Sequence, residues 1–328
     1  MKKISVDIGN GYVKATDEDE HTLHFPTVIR EKNERSIFGN NSGLDYQVKI
    51  DGIDYYVGKL ALAKNGVRTW GNDMSMNSDT GKYAALCSHI LSKESENSIE
   101  LFIGLPYAYF LEQSEGKTLA GDLLGKVYET VYRDETKKIT IERVSVYPQG
   151  IGAYFYNIYD IHGEPRKGAT KLLKALIVDV GYRTMDVVAF NSMEGKYALV
   201  QEHSFSTELG VFNVIKNLQN IIEPDYRTDP NNIETVIQMA NGVIEYNLGT
   251  IDLKPLEEKE YGKLAEDVLR RLNSKLEGSI YEYKNIFLTG GGAKKLYPFL
   301  TKQYNIQLQD DCIFCNCKGY MAMENLHQ

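Results

Sequence analysis

The sequence predicts an α/β fold made of two similar halves that meet near residue 150. The chain has 328 residues, of which 42% are hydrophobic, and this is enough for two domains with separate cores. An apolar strand pattern that ends in Asp-x-Gly occurs in each half, at 4–9 and again at 176–181. Two copies of one pattern indicate a duplicated fold.

A change of pattern around Pro148-Gln149-Gly150 sets the predicted domain boundary. A helix pattern at 152–159 and a polar stretch at 163–170 follow before the second apolar strand begins. The expected division is domain I at 1–150, completed by about 306–328 and containing a small inserted subdomain at about 25–75, and domain II at 151–305.

Composition and charge exclude several classes of protein. The formal net charge of −8 argues against direct, non-specific DNA binding, which requires clustered Lys and Arg. No apolar run approaches the ~18 to 20 residues that span a bilayer, and Met1-Lys2-Lys3 leads directly into the first strand with no signal-peptide pattern. We therefore expect a cytoplasmic protein without membrane contact, whose four cysteines are reduced thiols.

The first half is rich in strand patterns. Asp51-Gly52 predicts a type I′ hairpin turn, because both residues suit positive φ angles. With the extended segment at 25–29, this hairpin suggests a small inserted sheet. Strands are predicted at 4–8, 12–16, 46–50, 53–57, 100–106, 127–132 and 138–146, and helices from Asp79 or Thr80 to Leu91 and at 107–123.

The second half repeats this outline with more helix. One long apolar stripe at 261–276 predicts a helix that packs on the core. Strands are predicted at 176–180, 185–190 and 286–289, and further helices at 211–221, 232–239 and 294–300.

Both Asp-x-Gly turns have the chemistry of a phosphate site. Glycine lets backbone N–H groups approach phosphate oxygens closely, because no Cβ stands in the way. Asp7 and Asp179 would bring two carboxylates to one site, and a hydrated Mg²⁺ would offset their repulsion. Lys14 adds a point charge for the phosphates. The pattern predicts that each turn holds one side of a triphosphate.

These motifs resemble those of the actin superfamily. Segment 7–15, Asp-Ile-Gly-Asn-Gly-Tyr-Val-Lys-Ala, has the spacing of the first phosphate loop of actin, and 178–186 resembles the second phosphate loop of bacterial and archaeal actin-like proteins. The closest resemblance is to the ParM/StbA plasmid-segregation actins. Further matching segments are 104–106, the connecting segment 146–150, the adenosine-side loop 289–293, and 316–320.

The resemblance implies a duplicated actin-like, ribonuclease H-like fold with a nucleotide cleft between its domains. It implies an ATPase, with GTP as the alternative nucleotide, in which Asp7 and Asp179 hold Mg²⁺ through water. The residues implied to contact the nucleotide are Gly9, Asn10, Gly11, Tyr12, Lys14, Gly181, Tyr182, Arg183, Thr184, Glu208, Gly210, Gly290, Gly291 and Gly292.

Gln149 stands where the superfamily has the residue that orients the attacking water. A neutral amide positions water without acting as a strong base, so slow hydrolysis is expected. The alternative is that Gln149 only satisfies backbone groups at a domain crossing. Two features depart from the family pattern: Tyr182 and Arg183 replace Gly or small residues, and Gln149 replaces a carboxylate that is frequent in ParM/StbA proteins.

The cysteines Cys312, Cys315 and Cys317 have a Cys-x2-Cys-x-Cys spacing. Three ligands within six residues, without a second Cys or His cluster to complete a tetrahedron, make a poor zinc site. We expect structural thiols in a strand and turn. Cys87 is expected in the core, on the helix that begins near Asp79.

The resemblance also implies a function and partners. It implies nucleotide-dependent filaments that move plasmid copies apart through a ParR-like DNA-binding adaptor, with plasmid DNA contacted only indirectly. A small-molecule kinase of the same superfamily would need a substrate pocket with a carboxylate base. A chromosomal cytoskeletal filament is a further alternative, and a heat-shock-type chaperone is disfavoured because few residues follow Gly292.

Overall fold

The computed structural model describes residues 1–33, 46–64, 66–68, 79–107, 110, 114–167, 174–193, 196–222, 233–234, 237, 242–246 and 249–326. Among these residues, none of the helices combines the length and the apolar character needed to cross a membrane.

The chain forms two compact units. Unit 1 comprises Met1–Thr170 and Ile313–Gln328, and unit 2 comprises Lys171–Cys312. These units differ from the expected domains in two places. The helix that follows Gln149 packs on the carboxy-terminal helix in unit 1, and the strand Ile306–Leu308 pairs with its neighbour in unit 2. Neither long-range contact is visible in a local pattern.

Unit 1 contains a ten-stranded sheet with the order β3-β2-β1-β8-β10-β9-β5-β6-β4-β7. Its centre is parallel, because β8 pairs in parallel with both β1 and β10. The strands are β1 (Lys2–Ile8), β2 (Tyr12–Asp17), β3 (Thr22–Pro26), β4 (Val28–Glu31), β5 (Tyr46–Ile50), β6 (Ile53–Val57), β7 (Val67–Arg68), β8 (Glu96–Leu105), β9 (Val127–Tyr132) and β10 (Glu135–Pro148).

The predicted hairpin is confirmed, but the separate inserted sheet is wrong. Asp51 and Gly52 have φ angles of 49° and 83° and join β5 to β6, as a type I′ turn requires. Strand β5 also pairs with β9, so the hairpin continues the large sheet. The extended segment predicted at 25–29 is divided at Thr27 between β3 and β4.

The helices of unit 1 cover a core in which β1 is buried along most of its length. On α2, Tyr83, Leu86 and Cys87 are buried against the sheet, as predicted. The helices are α1 (Lys59–Ala63), α2 (Asp79–Leu91), α3 (Ser114–Leu123), α4 (Ile151–Ile158) and α8 (Cys315–Leu326). Part of the helix predicted at 107–123 lies outside the described residues.

The turn expected near Cys315 is present at residues 310–314, but the expected strand is wrong, because the chain from Cys315 onwards forms helix α8. Residues 315–322 are all buried. A helix that is covered on nearly every side carries no amphipathic period, so the sequence does not reveal it.

Unit 2 contains a six-stranded sheet and a two-stranded hairpin. The order is β13-β12-β11-β17-β18, and β14 pairs with β12. The strands are β11 (Lys174–Val180), β12 (Met185–Met193), β13 (Lys196–Leu199), β14 (Phe205–Thr207), β15 (Val243–Tyr246), β16 (Gly249–Asp252), β17 (Asn285–Thr289) and β18 (Ile306–Leu308).

Helices α5 (Val211–Ile222), α6 (Lys254–Leu276) and α7 (Ala293–Leu300) belong to unit 2. Helix α6 packs on both α5 and α7. It begins seven residues before the predicted start at 261, with Pro255 in its first turn, where no N–H partner is lost. Most of the helix predicted at 232–239 lies outside the described residues.

The two sheets share one plan, which confirms the predicted duplication. In unit 1 the order β3-β2-β1-β8-β10 matches β13-β12-β11-β17-β18 in unit 2. In each series the first three strands are antiparallel and the last three are parallel. The Asp-x-Gly turns follow the same central strand, β1 or β11, in each unit.

Candidate phosphate-binding loops

The first loop is a tight turn between β1 and β2. The Gly9 amide donates to the Tyr12 carbonyl at 3.0 Å. Thr27 holds this turn from outside, because its hydroxyl donates to the Gly9 carbonyl at 2.7 Å and its amide donates to the Gly11 carbonyl at 2.9 Å. The loop conformation therefore depends on Thr27, 16 positions after Gly11, which no motif in the sequence marks.

Asp7 is buried at the end of β1 and is paired on both carboxylate oxygens. Lys14 lies opposite Asp7 in the β1–β2 register, and its Nζ is 3.0 Å from Asp7 Oδ2. The Gln149 amide Nε2 donates to Asp7 Oδ1 at 2.7 Å. The structure therefore brings together the three unit 1 residues to which the sequence assigned charge or catalysis.

Tyr12 stacks on His24, with ring centroids 4.5 Å apart and an interplanar angle of 17°. His24 lies on β3, opposite Lys14 in the β2–β3 register. The two stacked rings lie beside the first loop. No motif in the sequence marks His24, because its position follows from strand pairing.

The second loop has the same main-chain turn. The Gly181 amide donates to the Thr184 carbonyl at 2.8 Å, as Gly9 does to Tyr12. Asp179 and Asp186 lie opposite each other in the β11–β12 register, as Asp7 and Lys14 do in unit 1. Asp186 in the second loop is therefore at the position equivalent to that of Lys14 in the first loop.

Hydroxyl groups cover the Asp186 carboxylate. Thr184 Oγ1 donates to Asp186 Oδ2 at 3.1 Å, and Ser206 Oγ donates to Asp186 Oδ1. Asp179 and Asp186 are both nearly inaccessible to solvent. At these paired strand positions the second loop thus presents two carboxylates where the first presents a carboxylate and an ammonium group.

The side chains of Tyr182 and Arg183 pack against other residues of unit 2. The Tyr182 hydroxyl donates to Glu234 Oε2 at 2.8 Å, and the Arg183 guanidinium carbon lies 5.9 Å from the centroid of the Phe212 ring. The Phe212 amide donates to the Tyr182 carbonyl at 2.7 Å. The departures from the family pattern therefore attach the loop to the start of α5.

Gly210 is required at the junction of the second loop and α5. A Cβ added there would lie 2.4 Å from the Tyr182 carbonyl oxygen. Glu208, two residues earlier, is exposed to solvent. The structure thus assigns Gly210 to the packing of the loop, whereas the role of Glu208 remains a prediction from the sequence.

The triple-glycine loop lies against Asp179. Gly290 has a φ of 91°, and a Cβ there would meet Asp179 Oδ1 at 2.2 Å. The Gly292 amide donates to the Val180 carbonyl at 2.9 Å. A Cβ added at Gly291 would meet no atom within 4 Å. Unit 2 therefore brings Asp179 and the glycine loop together, and space remains beside Gly291.

Cys312 and Cys317 accept hydrogen bonds through their main-chain carbonyls. The Cys312 carbonyl accepts hydrogen bonds from the Gly290 amide and the Thr289 hydroxyl, and the Cys317 carbonyl accepts one from Ser5 Oγ at 2.6 Å. All four cysteines are buried, free thiols. Burial, followed by the charge of Asp7, raises the pKa of Cys317, so its thiol stays protonated.

Two family models match the chain, one in each half. The amino-terminal domain of actin-like proteins matches residues 5–152, and the carboxy-terminal, MreB-like domain of an archaeal actin homologue matches residues 177–302. With the duplicated sheets described above, these matches make the chain an actin-like protein. No curated protein sequence matches it at a significant level.

Solved structures share the fold over nearly the whole chain. A 15-stranded ParM filament from Clostridium botulinum has a TM-score of 0.82 and 24% identity, covering 98% of both chains. The archaeal actin homologue Ta0583 with ADP has a TM-score of 0.76 and 20% identity, covering 99% of both. Bacillus thuringiensis ParM with ATP has a TM-score of 0.70 and 18% identity, covering 100% of this chain and 98% of that one.

Proposed function

We propose that this protein is an ATPase that assembles into filaments when it holds nucleotide and uses their growth to segregate plasmid DNA. The observation that carries the proposal is the repeated turn: the same main-chain hydrogen bond follows Asp7 in one unit and Asp179 in the other. Similar proteins are a filament and complexes with ADP and ATP, which supports the assignment. ATP is the proposed nucleotide and GTP the alternative.

The loops would divide the phosphate chain. Gly9, Asn10, Gly11 and Tyr12 supply the first loop, with Lys14 as its positive charge. Gly181, Tyr182, Arg183 and Thr184 supply the second loop, in which Tyr182 acts through its main chain because its hydroxyl donates to Glu234. Gly291, with Gly290 and Gly292 beside it, borders the nucleoside, and Glu208 and Gly210 border it from the start of α5.

The oxygen donors of this chain fit a hydrated magnesium ion. Asp7 and Asp179 are buried carboxylates at matching positions, and Mg²⁺ prefers a few carboxylates together with water. When bound, Mg²⁺ offsets the charge of the phosphate oxygens. It fits the second loop especially, because Asp179 lies opposite Asp186 rather than a lysine.

Gln149 is the proposed water-positioning residue. Its Nε2 donates to Asp7 Oδ1, which fixes the orientation of the amide and leaves Oε1 as the acceptor for a proton of the attacking water. An amide is not a strong base, so hydrolysis is slow and follows filament assembly. Filaments then lose stability only after their nucleotide is hydrolysed.

A DNA-binding adaptor of the ParR type would connect the filament to plasmid DNA. The net charge of −8 supports indirect contact with DNA, because direct binding requires clustered positive charge. The proposed location is the cytoplasm.

Sedimentation and electron microscopy with ATP, GTP and no nucleotide, each with Mg²⁺, test assembly and base preference together. We expect sedimentable filaments with ATP and none without nucleotide. Asp179→Ala should abolish nucleotide-dependent assembly, because it removes a carboxylate of the proposed Mg²⁺ site. Asp267→Ala removes a partly exposed carboxylate of unit 2 and should assemble normally.

Two outcomes would contradict the proposal. One is a protein that stays monomeric with ATP at high concentration while it phosphorylates a metabolite, which would identify a small-molecule kinase. The other is assembly of Asp179→Ala at the wild-type nucleotide concentration.

A further inference from the structure

Helix α4 begins at Ile151, two residues after Gln149, and its N-cap residue cannot supply a side-chain cap. The N-cap is Gly150, which has no side chain and a φ of 86°. The N–H groups in the first turn of a helix lack intrahelical partners, and a side-chain oxygen normally satisfies one of them. Here the oxygen must come from another part of the chain.

Asn316 supplies that oxygen from α8. Its Oδ1 accepts hydrogen bonds from the Gly150 amide at 3.0 Å and from the Ala153 amide at 3.2 Å. Both partners are N–H donors, so the carbonyl oxygen of the Asn316 side chain must be the atom that faces them. Asn316 is 5% exposed, which shields both bonds from competing water.

Close contact between the two helices fixes where Asn316 lies. A Cβ added at Gly319 would lie 1.8 Å from the Gly152 carbonyl oxygen, and one added at Gly152 would lie 2.3 Å from the Asn316 carbonyl oxygen. The helices therefore touch main chain to main chain. Because neither backbone can move towards the other, α8 delivers the Asn316 side chain to one place.

We infer that Asn316 is a positioning residue for Gln149. The main-chain amide of Gln149 donates to the Leu105 carbonyl at 2.6 Å, and the main-chain amide of Gly150 donates to Asn316 Oδ1. These two bonds fix the main chain on both sides of the Gln149 Cα. The side chain then reaches Asp7 Oδ1 in one orientation. This inference rests on the proposed ATPase function for its effect on rate, but not for its effect on structure.

Steady-state ATP hydrolysis tests the effect on rate. Asn316→Ala should lower kcat at least about tenfold and change KM less than about twofold, and Gln149→Ala should do the same, because both disturb only the water-positioning amide. Asn316→Asp keeps the acceptor oxygen and should restore kcat. Asn325 also lies on α8 and makes long-range bonds to Lys3 and Ile161, so Asn325→Ala is the matched control and should match wild type.

A double variant separates positioning from general destabilisation. If Asn316 acts through Gln149, adding Asn316→Ala to Gln149→Ala should lower kcat no further. Multiplied losses, or an Asn316→Ala kcat equal to that of wild type, would overturn the inference.

Hydrogen exchange tests the cap without reference to activity. Asn316→Ala should raise the exchange rates of the Gly150 and Ala153 amides, and Asn325→Ala should not. Unchanged exchange at both amides would overturn the structural step. A wild-type protein that hydrolyses no nucleotide would instead contradict the proposed function and the rate effect, while the exchange result would still decide whether Asn316 holds the segment.

Discussion

The two loops carry opposite charges at one equivalent position. Lys14 lies across from Asp7, whereas Asp186 lies across from Asp179, although both turns close with the same hydrogen bond. Main-chain geometry has therefore been kept and side-chain chemistry has diverged. In the proposed function the first loop contributes its own cation, and the second relies on the metal.

Thr27 determines the shape of the first loop at the scale of a single residue. Thr27→Val removes the hydroxyl that donates to the Gly9 carbonyl but keeps the volume of the side chain. The loss of one buried hydrogen bond of about 1 kcal/mol should weaken ATP binding about fivefold. Isothermal titration with ATP and Mg²⁺ measures this change.

Thr27→Ser is the matched control, because it keeps the hydroxyl and should bind ATP as wild type does. Equal ATP affinity in the Val and Ser variants would contradict a role for Thr27 in shaping the loop.

At the scale of elements, the triple-glycine loop between β17 and α7 combines one constrained glycine with one free glycine. Gly290→Ala adds a Cβ that meets Asp179 Oδ1 at 2.2 Å, at a φ that L residues rarely adopt. We expect the free energy of unfolding to fall by about 1 to 3 kcal/mol, because both strain and a steric clash oppose folding. Thermal unfolding of the nucleotide-free protein measures this effect.

Gly291→Ala adds the same methyl group where no atom lies within 4 Å. Its melting temperature should stay close to that of wild type. A melting temperature lowered equally by both substitutions would show that the Asp179 contact does not control the loop.

On the scale of the whole molecule, acid should weaken unit 1 through His89. This side chain is 1% exposed, and its Nδ1 lies 2.6 Å from Thr130 Oγ1. Burial, followed by the charge of Lys137, lowers the pKa of His89 to about 4. In the unfolded chain this histidine takes up a proton near pH 6.5. The stability that neutral His89 contributes to the folded state is therefore complete above that pH and is lost as the pH falls towards 4.

Urea unfolding followed by circular dichroism at pH 7 and pH 5 measures the loss. The His89 contribution should decrease by about 1 to 2 kcal/mol over this interval, and His89→Gln should remove that part of the pH dependence. His162→Gln, which replaces an exposed histidine of unit 1, should leave it unchanged. An unaltered pH dependence in His89→Gln would contradict the assignment.

Local motifs predicted the duplicated fold and the turns after Asp7 and Asp179 correctly, because turn conformation depends on residues that are adjacent in sequence. The Asp-x-Gly turns, the Asp51-Gly52 hairpin and the apolar stripe of α2 all have this property. The sequence pattern did not predict helix α8, which is buried on nearly every side. It also did not predict that β5 pairs with β9, because that pairing joins distant segments. Such elements carry no local period that identifies their neighbours.

The sequence by itself determined that this is a two-part actin-like chain with paired Asp-Gly turns, because each turn requires particular residues at fixed, short spacing. Only the tertiary structure decided which side chains support the first of those turns and the segment around Gln149. Thr27, His24 and Asn316 reach their places through strand pairing or helix contact, and these depend on backbones that approach across long stretches of chain. Their chemistry was visible in the sequence, but their distances were not.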